Sequence, residues 1–177
     1  GELGEGHVGA VRQLQQLIGK GAGHGFKYDR TMRWMALDHG TKKIGIAFSD
    51  ELEILASPFE VWPQEGAATL RKLAALARDE GVQALLVGLP RHQDGVESGT
   101  APLARTFGEA LAALAQLPLR FGDEHLSSRE AERLLAQRGV KPKDRKAKLD
   151  AAAAAVILAD FIERRRAAKV PVPEPGP

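Results

Sequence analysis

The sequence reads as an α/β protein with a mixed sheet of roughly five strands flanked by helices, in the order βββαβαβαα. Three short apolar runs follow one another between positions 34 and 62, close enough to form an antiparallel meander. Beyond position 67 the apolar period changes from two residues to that of a helix. Helical stretches then alternate with single strands, which calls for parallel crossovers. With 44% hydrophobic and 27% charged residues in 177, the chain has the balance of a globular protein with one core.

Trp34-Met35-Ala36-Leu37 is a short apolar strand ending at Asp38, and His39-Gly40-Thr41-Lys42-Lys43 supplies turn chemistry. Ile44 to Phe48 is the second strand, with Ile44, Ile46 and Phe48 on one face. Ala56 to Trp62 is the third, and Pro58 confines it to an edge. A helix over Ala67 to Glu80 gathers Leu70, Leu73, Ala74 and Ala77 on one face and stops at Gly81. Gln83 to Val87 is a buried strand that Gly88-Leu89-Pro90 breaks, and Asp94-Gly95 is a turn. Ser98 to Gln116 forms the second helix, and Pro118 to Gly122 the last strand. Ser127 and Glu130 have capping-box spacing ahead of a helix over Arg129 to Arg138. An alanine-rich helix runs from about Leu149 to Ala168.

The ends read differently. Eight of the nineteen glycines fall in residues 1–31, where Val11 to Ile18 is the one stretch able to make two helical turns. The expected organisation is a flexible extension over 1–31, a folded domain over 32–168 and a proline-rich tail over 169–177. The absence of cysteine excludes disulfides, thiolate zinc sites and a cysteine nucleophile, so any metal is held by oxygen or imidazole. The longest apolar stretch, Ala151 to Ala159, is nine residues, short of the ~20 that span a bilayer. No secretory leader pattern opens the chain, and the cytoplasm is the expected compartment. A net charge of +2 conceals a local excess from Arg138 to Lys148, six cations against Asp144, and a second knot at Arg164-Arg165-Arg166.

Three acids stand where ligands gather in α/β sheets: Asp38 ends the first strand, Glu124 lies just past the last, and Asp150 opens the terminal helix. Carboxylates without thiolates suit Mg²⁺ or Mn²⁺. Two such ions about 4 Å apart activate water and stabilise a leaving oxygen in phosphodiester cleavage. Each acid also has a plain structural reading. Asp38 shapes a turn, Asp123 and Glu124 precede a helix N-terminus, and Asp150 sits in a first helical turn. Their spacing along the chain does not by itself establish that they converge.

Residues Leu37-Asp38-His39-Gly40-Thr41-Lys42-Lys43-Ile44-Gly45-Ile46-Ala47 resemble the opening signature of the YqgF family, also called RuvX, of Holliday junction resolvases. Three further blocks match in order: Val87-Gly88-Leu89-Pro90 with Asp94-Gly95, Asp123-Glu124-His125-Leu126-Ser127-Ser128, and Lys148-Leu149-Asp150-Ala151-Ala152-Ala153. The resemblance covers about residues 33–165 and implies an RNase H-like mixed five-stranded sheet, related to the RuvC resolvase. It implies that Asp38, Glu124 and Asp150 are the catalytic, metal-binding triad, with a two-metal Mg²⁺ or Mn²⁺ site. The implied activity is nuclease cleavage, either in 5′ processing of precursor 16S rRNA or in resolution of branched DNA. Where the family has arginine after the Asp-Glu pair, this chain has His125, which contacts phosphate, assists proton transfer or packs. Asp123 acts behind the metal ligands or as a helix-end charge, and Ser127 and Ser128 orient Glu124 or substrate, or cap the helix. Thr41 and Lys42 lie in the turn beside the first strand, where Lys42 binds a backbone phosphate or is a solvated turn lysine, and Gly88 permits close approach of substrate or a tight turn.

Lys141, Lys143, Arg145, Lys146 and Lys148, interrupted by Pro142, read as a mobile basic loop that contacts phosphates without reading sequence. Aromatics total 5% and none interleaves with this segment, so no stacking platform is expected. Two rival classes remain to be weighed. Sugar kinases and ATPases of the actin–hexokinase type open with a similar turn, but they need two such domains, more than roughly 150 folded residues supply. A non-catalytic nucleic-acid-binding module would need only the basic 138–148 segment, leaving the acids structural. Nucleic acid is the expected partner under either surviving reading, and a membrane is not. A homodimer suits symmetric junction cutting, RNA trimming requires none, and no apolar stripe marks a dimer face.

Overall fold

The computed structural model describes residues 31–169, apart from 91–95, 97–98 and 125–127. For Asp123, Glu124, Ser128, Arg129 and Lys169 it describes the backbone alone. Most of the extension over 1–31, the proline-rich tail, the Asp94-Gly95 turn, Ser98, His125 and Ser127 therefore lie outside the described residues.

Strands β1 (Trp34–His39), β2 (Lys43–Ser49), β3 (Ala56–Pro63), β4 (Ala84–Pro90) and β5 (Leu119–Glu124) form a sheet in the order β3-β2-β1-β4-β5. Antiparallel pairing joins β1 to β2 and β2 to β3, while β1, β4 and β5 run parallel. This is the meander followed by crossovers that the apolar period predicts, and β3 occupies the edge that Pro58 requires. Helices α1 (Ala67–Asp79), α2 (Ala101–Ala115), α3 (Ser128–Gln137) and α4 (Pro142–Lys169) complete the described elements.

The two faces of the sheet carry different residues. Met35, Leu37, Ile44, Ile46, Phe48, Leu85, Val87 and Leu89 pack against α1 and α2, where Leu73, Phe107 and Leu111 meet them. On the other face Trp34 and Leu86 stand among Ala36, Ala47 and Ala84, under Ala154, Ala155, Ile157, Leu158 and Ile162 of α4. Small residues on both surfaces let α4 lie close. Helix α3 packs outside it, with Ala131 and Leu135 against Ala152.

Three boundaries correct the sequence reading. Gly88-Leu89-Pro90 does not break β4 but continues it, pairing with Gly122, Asp123 and Glu124. Proline at the last position removes a donor only from the end of the ladder. Glu124 is consequently the final residue of β5 rather than a residue past it. The basic segment is not a mobile loop: α4 begins at Pro142, about two turns before Leu149. Proline suits a first helical position, because its missing N–H has no intrahelical acceptor there, and Asp144 in the first turn favours the same end.

At the far end of α4 the buried Glu53 carboxylate accepts hydrogen bonds from the Met32 N–H (2.9 Å), Trp34 Nε1–H (3.1 Å) and Arg165 Nε–H (3.0 Å). The Arg165 guanidinium also lies 5.7 Å from the centre of the Trp34 ring. Burial pushes the Glu53 carboxyl up, but Trp34, Arg165 and the Met32 amide outweigh it and hold it below the usual glutamate range. Glu53→Gln, which keeps the shape and loses the charge, should lower stability by about 1–3 kcal/mol at neutral pH. An unfolded glutamate takes up its proton at higher pH than this folded one. The gap between wild type and variant is therefore full above about pH 4.5 and shrinks as pH falls through the folded pKa. Urea unfolding of both proteins across pH 3–7 measures it.

Candidate active site

Successive strand residues point to opposite faces, so with Leu37 in the α1/α2 core, Asp38 faces α4. Register then sets its neighbours. Asp38 pairs with Gly45 of β2, Gly45 pairs with Val61 of β3, and Gly88 pairs with Gly122 of β5. Leu37 pairs with Val87, which brings Asp38 level with Gly88. Glycines thus flank Asp38 on both neighbouring strands and occupy the next position on β5.

Each of these glycines has a reason above it. A Cβ on Gly45 would overlap the Asp150 carbonyl and lie 2.6 Å from the Ala151 nitrogen. On Gly88 it would lie 2.8 Å from Ile157 Cδ1, and on Gly122 3.0 Å from Ile157 Cγ2. Helix α4 therefore rests on β2 backbone to backbone at Asp150. Asp150 shares a helical stripe with Ala154 and Ile157, at i, i+4 and i+7, both of which pack on the sheet. It stands over the strand next to Asp38, one interstrand spacing of about 4.8 Å away. Both carboxylates are half-buried.

Glu124 has its backbone paired with Pro90, two residues beyond the Gly88–Gly122 pair and two strands from β1. Its side chain lies outside the described residues, as does all of His125 and Ser127. Among the described residues no three acids or histidines form a metal-holding group. The two described acids give only oxygen donors, which fits Mg²⁺ or Mn²⁺ and not a thiolate-seeking metal.

The turn after Asp38 is closed by the Gly40 N–H donating to the Lys43 carbonyl at 2.9 Å, leaving Thr41 and Lys42 exposed. Gln64, just past β3, braces it twice. Its N–H donates to the Lys42 carbonyl at 2.9 Å, and its side-chain nitrogen lies 3.0 Å from His39 Nε2. The imidazole stacks 4.6 Å from the Phe107 ring of α2, and burial lowers its pKa against the opposing pull of its backbone hydrogen bond. A neutral ring accepts the Gln64 amide proton at Nε2. The sequence reading passed over Gln64, which has no periodic or motif signal. It also left Gly45 without a role, although a glycine inside a buried strand marks close backbone approach.

Lys141, just before α4, and Lys143, Lys146 and Lys148 along its start are exposed. Arg145 is partly withdrawn, its Nε–H donating to the Val140 carbonyl at 3.0 Å across the α3–α4 corner.

The RuvX family model, described as Holliday junction resolvase, matches residues 32–164. A protein of Roseiflexus sp. (strain RS-1) named "Putative pre-16S rRNA nuclease" is 39% identical over 135 residues, 76% of this chain and 96% of its own length. One of the same name from Anaeromyxobacter dehalogenans (strain 2CP-C) is 42% identical over 135 residues, 76% of this chain and 98% of that one. Among solved structures, Thermus thermophilus RuvC superposes with a TM-score of 0.50 at 14% identity, covering 77% of this chain and 97% of RuvC. That likeness is one of fold.

Gly45→Ala should destabilise the protein by about 3 kcal/mol or more, because backbone on both sides of the contact has no room to yield. Gly99→Ala, with nothing within 4 Å of the added methyl, should stay within about 0.5 kcal/mol of wild type. Thermal melts of the two variants make the comparison.

Proposed function

The chain belongs to the RuvX family and is a nuclease, a hydrolase acting on ester bonds, and on that premise we propose that Asp38, Glu124 and Asp150 are its metal-binding catalytic residues. The observation that carries this reading is the seating of the Asp150 backbone on Gly45, the strand partner of Asp38. Residues 112 positions apart are thereby held about one strand spacing from each other.

The three carboxylates would hold two Mg²⁺ or Mn²⁺ ions, which lower the pKa of an attacking water and stabilise the departing oxyanion. The chain's own part is positional. Asp38 is held by a strand paired on both sides, and Asp150 by a helix that cannot shift without leaving Gly45. Thr41 and Lys42, exposed beside Asp38, meet a substrate phosphate. Lys143, Lys146 and Lys148 extend that cationic surface along the helix that bears Asp150, Lys141 adds to it just before the helix, and Arg145 adds a charge at its base. Asp123, His125, Ser127 and Ser128 adjoin Glu124 in the chain and would orient it or the substrate.

The substrate is a nucleic acid, and precursor 16S rRNA at its 5′ end is the reading we favour, since the relatives at about 40% identity carry that name. Branched DNA, the substrate named in the family description, is the second. RNA trimming needs no homodimer, whereas symmetric cutting of a junction does. Among the described residues no helix is long and apolar enough to cross a membrane, and a cytoplasmic site of action goes with a ribosomal precursor. The domain that acts is the one spanning 32–168.

A labelled precursor 16S 5′ fragment and a four-way DNA junction, each with Mg²⁺, Mn²⁺ or chelator, test the proposal. Wild type should cut one of them with metal and neither with chelator. Asp38→Asn should cut at least about 100-fold more slowly while still binding. Equal cutting by Asp38→Asn would remove the triad assignment. Binding without metal-dependent cutting by wild type would favour a module that only binds nucleic acid.

A further inference from the structure

Helix α4 has two flanks on the sheet. Ile157 lies on the one over β4 and β5, Asp150 seats on Gly45 of β2, and on the other flank, over β3, a groove of about 440 Å³ opens. Pro58 and Val61 of β3 floor it, and Leu135, Val140 and Ala151 wall it. Arg138, at the end of α3, and Lys148 of α4 bring two cations to it, both exposed. Glu60 is the acid in the lining, and its carboxylate accepts the Trp62 Nε1–H at 2.6 Å.

We propose that this groove is a subsite for one nucleotide of the substrate strand, flanking the nucleotide at the acids; the proposal rests on the nuclease reading above. Val61 is paired to Gly45 and Gly45 to Asp38, so the groove floor lies two strand spacings, about 10 Å, from the acid site. A strand crossing the start of α4 reaches both. Its phosphate meets Arg138 and Lys148, and its base covers the apolar floor.

Charge decides the class of occupant, because the two cations, Arg138 and Lys148, outnumber the carboxylate of Glu60 in the groove's lining. A protein strand is a poor alternative. Pro58, Pro63 and the register shift between the Gly45↔Val61 and Ala47↔Pro58 pairs spoil β3 as an edge for further pairing. Proline, valine, leucine and alanine side chains offer no hydrogen bond to a base edge. The apolar floor therefore takes a base without reading it, while Arg138 and Lys148 hold the phosphate.

The test uses the full chain with Arg138→Gln, with Ala147→Glu at an exposed position lining the groove, and with Arg71→Gln on α1 as control. On the substrate that wild type cuts, Arg138→Gln and Ala147→Glu should each raise KM about five- to tenfold and change kcat less than twofold. Arg138→Gln should also reduce the slope of log binding constant against log salt by about 1, measured by anisotropy in chelator. Arg71→Gln should match wild type in both. Metal-dependent cutting by wild type with groove variants indistinguishable from Arg71→Gln would overturn the subsite and leave the nuclease reading intact. Absence of cutting by wild type would overturn the nuclease reading, and the anisotropy arm would then decide the groove alone. A change in oligomeric state, with no change in nucleic-acid binding, would assign the groove to a second copy of the chain.

Discussion

At Gly45 a strand and a helix touch with no side chain between them, and the arrangement of the rest follows from that contact. The Asp150 carbonyl and Ala151 nitrogen occupy the space a Cβ would need. Glycine inside a strand costs about 0.5–1 kcal/mol against alanine. Gly45, Gly88 and Gly122 at one level of three strands thus mark a surface built for proximity rather than for strand stability. The alanines of α4 complement it. Fifteen residues later Arg165 meets Glu53 and Trp34, so the helix is fastened at both ends of about 22 Å.

The difference between the sheet's faces explains why two adjacent residues of one motif have separate tasks. Asp38 turns toward α4, while His39 enters the α1/α2 side, stacked on Phe107 and met by Gln64. A half-buried imidazole on the far face, its pKa lowered by burial, braces the turn from behind. The large side chains on that face form a thick core, whose packing holds β1 rigid under the acid it presents.

Beginning α4 at Pro142 also changes how the basic segment relates to the chemistry. Lys143, Lys146, Lys148 and Asp150 ride on a single helix, so the cations proposed to meet phosphate and the acid proposed to hold metal keep a constant separation. A loop would have had to order itself on each binding event, with the entropy loss that entails.

Element order, the edge position of β3 and the placement of Asp38 at the end of β1 were legible in the chain, because each is written in local periodicity or in a proline. The family motifs marked all three acids. Local pattern misled where a distant partner decides the outcome. Gly88-Leu89-Pro90 has the composition of a turn and is a strand because β5 pairs with it. Pro142 looks like an interruption and is a helix start because the N–H it lacks is one a helix can do without at that position. Gln64 carried no signal, since its role depends on a turn 22 residues upstream, and Arg138 was legible only as a member of the basic segment, not as a neighbour of a strand edge some 80 residues away. Periodicity and motifs thus determined which segments exist and which residues are chemically apt. Register and close packing, which depend on segments far apart in the chain, decided which of those residues meet.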